Sequence, residues 1–346
     1  MRSISLVTGA AGFIGGFLVD QLISEGIPVR AFLKTGTASS TLKASGAEVF
    51  EGDLRDPASL ERAMKDVDVV YHLAAISRLD ANIPDADYHA VNVEGTRHLL
   101  DAARAAGVRK VVFTATIEAV GVSTDGKPLT EETPQEPRNI YGRSKLDAEN
   151  LVLDYHRQHG LDAVVVRPPM IYGPGNVILC KRLFGIIARG FYPLIGDGKA
   201  LTEFCYVKNQ VHGIRLAADK GRAGQVYFIS DDRSYSIEEI VDAIARVMGV
   251  SVLKLRIPVP LALVMGWTFE MLAKVLRFYP FVIPETGRPP FSRKTVAWTS
   301  ESRLYCDISK ARRELGYQPP FSLDEGIRET VGWYRANGYI RQGVSS

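Results

Sequence analysis

A short apolar run from Ser3 to Val7 leads directly into TGAAGFIGG, residues 8–16, which sets glycines at 9, 12 and 15. No other stretch narrows the choice of folds so sharply. An apolar run of this length reads as a buried parallel strand. A helical pattern then covers Phe13 to Glu25 and closes at Gly26, and Pro28 to Leu33 reads as a second strand. Strand, glycine turn, helix, strand is the context in which a glycine motif carries meaning. The glycines allow a tight turn and bring a diphosphate against bare backbone. The helix N-terminus offers free N–H donors and a partial positive charge. A basic start and an apolar run also open a signal peptide. Here the glycines break the run and a helix continues from it, which predicts a strand and turn instead.

The alternation continues. Strands are expected at Ala47 to Phe50, Val67 to Leu73, Lys110 to Ala115 and Ala163 to Arg167. Helices are expected after Asp56, an N-cap with Pro57 in the first turn, and over about Tyr88 to Ala106 and Ile140 to His159. This predicts an α/β fold: a doubly wound parallel sheet over residues 1–175, revisited near 204–208 and 225–229. Residues 176–346 are expected to form mainly a smaller C-terminal domain that caps the strand ends and binds substrate. Ligands of such sheets bind at the carboxyl ends of the strands. Lys34, Asp53-Leu54, Leu73 to Ala75, Thr114 to Thr116 and Arg167 to Met170 stand there.

Composition narrows the function classes. Of 346 residues, 46% are hydrophobic and 23% charged, as in a soluble globular enzyme. A net charge of +3, without long runs of one sign, argues against nucleic acid as a partner. Cys180, Cys205 and Cys306 are scattered and odd in number, which predicts reduced thiols in a cytoplasmic protein and neither a disulfide framework nor a metal site. His72 lacks matching ligands and reads as a packed strand residue.

In YGRSK, residues 141–145, Tyr141 and Lys145 lie four apart on a predicted helix and share one face. An ammonium near a phenol favours the phenolate and lowers the phenol's pKa, which makes tyrosine a usable acid or base. Thr116, just past a strand end, is placed to orient the reacting oxygen.

VTGAAGFIGG (7–16), GDL (52–54), YHLAA (71–75), NVEGT (92–96) and YGRSK fall in the order that resembles the extended short-chain dehydrogenase/reductases, which include the NAD-dependent epimerases and dehydratases. RPPMIYGPGN (167–176) and DISKARRELGYQPPFSLDEGIRETVGWY (307–334) extend the resemblance over nearly the whole chain. It implies a Rossmann domain, an NAD(P)(H) cofactor and a homodimer formed through helices of the first domain. It makes Tyr141 the proton donor or acceptor and Thr116 the counterpart of the usual serine. Lys145 would hold the nicotinamide ribose as well as tune Tyr141. The cofactor contacts are expected from Gly9, Gly12, Phe13, Ile14 and Gly15 at the turn. Lys34, Asp53 and Leu54 would flank the adenosine, with Asp53 on the adenine. Leu73, Ala74, Ala75, Thr114, Pro168 and Met170 follow at later strand ends, and Asn92 anchors a helix beside them. NAD-preferring relatives place an acid at the end of the second strand. This chain has Leu33 there and then Lys34, which tilts the expectation towards NADP(H) through a 2′-phosphate.

Three reactions compete within the resemblance. Dehydratases usually carry Asp-Glu after the active-site threonine, and this chain has Ile117-Glu118. Sugar-nucleotide epimerases usually place a diphosphate-binding arginine where Thr202 stands, yet a nucleotide-sugar 4-epimerase remains the alternative. YVKNQVHG (206–213) resembles the 3β-hydroxysteroid and sterol-4-carboxylate dehydrogenase branch, which acts on hydrophobic alcohols and ketones. The apolar segment 257–284 agrees with it. There Glu270, Lys274 and Arg277 are expected on one helical face, with Trp267 and Leu272 off it. Such a helix suits a substrate-pocket wall, a peripheral membrane contact or plain core packing, and its charges and prolines prevent it from spanning a bilayer. Ser77, Arg78 and Tyr172 are candidate substrate neighbours.

Overall fold

The computed structural model describes residues 4–77, 83–123, 125–177, 180–276, 296 and 304–340. Seven parallel strands form the central sheet: β1 (Ile4–Thr8), β2 (Val29–Lys34), β3 (Glu48–Gly52), β4 (Val67–His72), β5 (Lys110–Thr114), β6 (Ala163–Arg167) and, last in sequence, Val226–Phe228. Their spatial order is β3, β2, β1, β4, β5, β6, then the 226–228 strand. The order reverses between β1 and β4, and that switch point opens the crevice in which such sheets bind ligands. β4, β5 and β6 are Val-rich and buried, as strands covered on both faces must be.

Helix α1 (Phe13–Ser24) packs one face of the sheet, with Leu18, Val19 and Leu22 fully buried against β1 and β2. On the other face lie the helices Pro57–Ala63, Gly95–Ala105 and Ile140–His159, which bury Leu60, Leu99 and Val152. Asp56 caps the first of these by accepting from Ala58 N at 3.1 Å. The helix before Gly95 carries a π-helical turn, His89–Glu94. Cys205 and Cys306 are buried free thiols.

Of the two segments expected to return to the sheet, Val226–Phe228 does so and extends it beside β6. Cys205–Tyr206 instead pairs in parallel with Ile171–Tyr172 as a separate two-stranded ribbon. A third core joins this ribbon to the helices Ile237–Met248 and Leu323–Ala336, with Phe184, Phe204, Ile244 and Tyr334 at its centre. Capping boxes at Ser236 and Ser322 start those two helices.

Val259–Leu276 is an 18-residue helix. It packs on Ile195, Ile257 and Val296 through Ala262, Val259 and Met265. Its outward face is apolar over the described residues. Leu261, Leu263, Val264, Trp267, Met271 and Leu272 are exposed, and no charged side chain is exposed between residues 259 and 272. Glu270 is half-buried, and the side chains of Lys274 and Arg277 lie outside those described. Residues 277–284 of the apolar segment also lie outside the described residues, and no described helix is long and apolar enough to cross a membrane.

Candidate active site

A cleft of about 900 Å³ runs along the carboxyl edge of the sheet across the switch point. The glycine turn forms its middle. Gly9 has φ +71°, a conformation glycine adopts without cost, and a Cβ there would sit 2.8 Å from Ala74 N. A Cβ on Gly15 would strike the Gly9 carbonyl, so α1 meets β1 this closely only without one. Gly12 caps α1 with no side-chain bond, which leaves the first N–H groups of the helix facing the cleft.

The structure gathers nearly all of the sequence-predicted residues on this wall. Gly9, Gly12, Phe13, Ile14 and Gly15 line it at the turn. Lys34, Asp53 and Leu54 line the end formed by β2 and β3, and Leu73, Ala74, Ala75 and Ser77 follow β4. Thr114, Thr116, Tyr141, Lys145, Pro168 and Met170 complete the opposite wall. Two predicted positions fall elsewhere. Asn92 is buried behind the wall. Tyr172 is fully buried, stacked 4.0 Å from Phe204, and donates to Leu323 O. Arg78 lies outside the described residues. Thr202 is buried in bridges to Tyr235 and Leu304, away from the cleft.

Asn92 belongs to a continuous polar chain that aligns the site. Its Oδ1 accepts from Ile76 N at 2.8 Å, and its Nδ2 donates to Ile76 O at 3.1 Å and to Ser144 Oγ at 2.9 Å. Ser144 Oγ in turn donates to Tyr141 O at 2.9 Å. The loop after β4 is thereby tied to the helix turn between Tyr141 and Lys145. His72 extends the chain, with Nδ1 2.7 Å from Thr8 Oγ1 and Nε2 2.9 Å from Thr96 Oγ1. Thr96 donates to Asn92 O at 2.7 Å, so it accepts from His72 Nε2–H, and the neutral imidazole takes the Thr8 proton on Nδ1. Complete burial holds His72 down to about 3.

Helix Ile140–His159 is positioned by Asn139. Its Oδ1 caps Gly142 N at 2.7 Å while its Nδ2 donates to Glu118 Oε2 at 2.6 Å. Glu118 lines the cleft beside Tyr141, a feature the sequence reading did not assign. Burial raises its carboxyl, opposed by the Asn139 hydrogen bond. The sequence expectation has Lys145 lowering the phenol of Tyr141, but in this dry cleft burial is the larger influence. Burial first, and then the Glu118 charge, push Tyr141 above its ordinary value, with a Thr116 hydrogen bond opposing them. Burial likewise pulls Lys145 down to about 7, with Glu149 opposing. The reason is dryness: desolvation penalises phenolate and ammonium alike, which holds the phenol neutral at neutral pH.

The other cleft end carries Arg55, which the sequence reading also missed. It lies two residues beyond Asp53 and pairs with it through Nε at 3.0 Å and Nη2 at 2.6 Å. The Arg55 hydrogen bond, opposed by desolvation, holds Asp53 down at about 2. The residues fit a dinucleotide. The uncapped start of α1 faces where a diphosphate would lie, and the buried Thr114 Oγ1 at the cleft wall has no hydrogen-bond partner among the described residues.

A crevice whose walls fit a dinucleotide, joined to a Thr-Tyr-Lys set, is the arrangement of a dinucleotide-dependent enzyme. The chain belongs to the NAD dependent epimerase/dehydratase family, whose model matches residues 5–230, and it is an NAD(P)-dependent oxidoreductase of the extended short-chain type. It is 31% identical over 328 residues, 93% of this chain and 94% of the relative, to the 4-hydroxy-2-methyl-3-oxo-4-farnesyl-3,4-dihydroquinoline-1-oxide ketoreductase of Stigmatella aurantiaca. It is 32% identical over 349 residues, covering 95% of this chain and 90% of the other, to the 3 beta-hydroxysteroid dehydrogenase/Delta 5-->4-isomerase of Mycobacterium tuberculosis. Among solved structures, dTDP-glucose 4,6-dehydratase from Streptomyces venezuelae with NAD bound superposes with a TM-score of 0.74 at 29% identity, covering 98% of this chain and 99% of that one.

Proposed function

We propose that the chain transfers a hydride between a nicotinamide dinucleotide and a hydrophobic secondary alcohol or ketone, with Tyr141 carrying the proton of the reacting oxygen. The distribution of charge along the cleft carries the reading. The described lining cations are Lys34 and Arg55 at the β2–β3 end, and Lys145 beside Tyr141. At the far end the wall is Pro169, Met170, Ile171 and Val177, with Asn176 among them. A sugar-nucleotide diphosphate placed there finds no cation among the described lining residues, and Thr202 is buried elsewhere. An apolar ketone finds matching surface. The similarity to a ketoreductase and a hydroxysteroid dehydrogenase agrees with this.

The bound nicotinamide supplies or accepts the hydride. In the reductive direction the neutral Tyr141 phenol gives its proton to the carbonyl oxygen as the alcohol forms. Thr116 orients that oxygen, and the Lys145 ammonium one turn along stabilises the phenolate left behind. Turnover tests the reading. Purified enzyme is offered NADP⁺, NADPH, NAD⁺ and NADH with 3β-hydroxysteroids, hydrophobic secondary alcohols and ketones, and with UDP-, GDP- and dTDP-sugars. Net redox change of the cofactor with the hydrophobic panel is expected. Isomer formation from a nucleotide sugar without net cofactor change would replace the reading with the epimerase.

The cofactor preference is read as NADP(H). Lys34 is exposed at the end of β2, Leu33 beside it is buried, and Arg55 adds a second cation on the same rim. Arg55 is paired with Asp53, so Lys34 is the cation available to favour a 2′-phosphate over a hydroxyl. The ratio of the NADPH to the NADH dissociation constant is expected to rise about tenfold in Lys34→Ala, since an exposed charge-assisted contact contributes roughly 1–2 kcal/mol. An unchanged ratio would remove Lys34 as the selector. The outward face of helix Val259–Leu276 is read as a peripheral membrane contact, because it presents Trp267 and five aliphatic or thioether side chains without an exposed charge.

A further inference from the structure

The least economical feature of the molecule is an ion pair with no access to water. Glu149 is 0% exposed and Arg167 2%. Arg167 donates from Nε to Glu149 Oε2 at 3.0 Å and from Nη2 to Oε1 at 2.5 Å, and Gln135 Nε2 adds a bond to Oε1 at 2.9 Å. Arg167 Nη1 is buried with no hydrogen-bond partner among the described residues. Such a pair is a poor source of stability, because desolvating both ions offsets most of their attraction and apolar replacements often do as well. Its position suggests another use. Glu149 follows Lys145 by four residues on one helix, so the two buried positions share one face. Lys145 is itself 2% exposed, with its Nζ 4.0 Å from the centre of the Phe113 ring.

Few other groups act on Lys145. Tyr141 on its own helix is a neutral phenol, and Glu118 stands on Tyr141's side. His72 on β4 is near enough to feel the lysine's charge but is neutral. From β5 comes the Phe113 ring. From β6, Arg167 reaches towards Lys145 only through Glu149. Glu149 is the carboxylate whose charge opposes the effect of burial on Lys145.

We propose that Glu149 is the positioning residue for Lys145: its carboxylate, clamped by Arg167 and Gln135, keeps the buried lysine an ammonium, and Arg167 sets how much of that negative charge the lysine feels. The proposal rests on the oxidoreductase reading for its use but not for its test. Glu149→Gln removes the negative charge and leaves the Arg167 cation, so Lys145 should deprotonate at lower pH. Arg167→Met frees the Glu149 charge, so Lys145 should deprotonate at higher pH. Opposite shifts from two lesions in one pair are not what simple loosening of the fold would give.

The direct measurement is an NMR titration of the cofactor-free enzyme carrying lysine labelled with ¹³C at Cε, the Lys145 signal being the one lost in Lys145→Arg. The Glu149→Gln midpoint is expected about one unit or more below wild type and the Arg167→Met midpoint above it. If a single variant fails to fold, Glu149→Leu/Arg167→Met, which leaves no lone buried ion, is expected to titrate below wild type. Midpoints in the folded variants that match wild type, or that shift in the same direction for both single variants, would overturn the proposal. A second readout is the alkaline limb of kcat against pH with the best substrate of the panels, which should move with the NMR midpoints. Absence of turnover with the hydrophobic panel would sink the proposed alcohol/ketone reading and leave the titration standing.

Discussion

The Tyr141 phenol and the Lys145 ammonium share one helix face, and burial acts on both. It raises the phenol and lowers the ammonium, and each shift favours the uncharged form. Tyr141 therefore enters the reaction with its phenol protonated, ready to act as the acid in the reductive direction. Tyr141→Phe keeps the ring and its packing and removes only the transferable proton. The expected result is a fall in kcat of about 10²–10⁴-fold, the span general acid catalysis covers, with the NADPH dissociation constant within about twofold of wild type. Stopped-flow hydride transfer and fluorescence titration of NADPH measure the two separately. Full activity in this variant would remove Tyr141 from the reaction.

Elements differ in how far the chain announces them. The long helix at Ile140–His159 matches its sequence expectation, with Asn139 at one end and the left-handed Gly160 at the other. The strands of the first half are continuous Val-rich runs and are nearly as plain. Cys205–Tyr206 and Leu201–Thr202 are two residues each, too short for any periodicity, and their partners are fixed only by tertiary packing. That is why Tyr172 was misjudged as a neighbour of the substrate. The glycine turn and YGRSK were legible because backbone geometry and helix pitch fix them locally. Arg55 and Glu118 were not, since their roles depend on Asp53 and Asn139 being brought to them. Helix Val259–Leu276 shows the limit of helical-wheel reasoning: the wheel separates Trp267 and Leu272 from Glu270 but does not say which face meets solvent, and the exposed residues include Trp267, at 51% exposure, with Val264 and Leu272. Its proposed membrane contact makes a prediction. Wild type should co-sediment with vesicles containing anionic lipid, and Trp267→Glu should lose at least about tenfold in partition, because moving a carboxylate into that interface costs more than the ~1.4 kcal/mol this factor represents. Equal sedimentation of the two proteins, or none by either, would end that reading.

At the scale of the whole molecule, the switch point between β1 and β4 is both where the cleft opens and where the two halves of the sheet are fastened. His72 is the fastener: Thr8 on β1 bonds one ring nitrogen, and Thr96, in the helix that covers the sheet, bonds the other. The imidazole fits this place only as the neutral form. Its pKa in the folded chain is about 3, against an ordinary value of 6.5. Between those values the unfolded chain binds a proton that the folded chain refuses, so the unfolded state gains as acidity rises. Stability is therefore full above pH ~6.5 and falls as pH drops through the window down to ~3, at about 1.4 kcal/mol per unit for this one group. Urea denaturation at pH 7 and pH 5 should show wild type losing roughly 2 kcal/mol from His72 alone, on top of whatever the carboxylates contribute. His72→Gln retains a donor and an acceptor but cannot titrate. It should start less stable at pH 7 and lose roughly 2 kcal/mol less than wild type on going to pH 5. The comparison between the two proteins cancels the other titrating groups, which they share. Parallel losses in both would mean that His72 takes up its proton in the folded state, and that the Thr8–His72–Thr96 chain opens without unfolding the sheet.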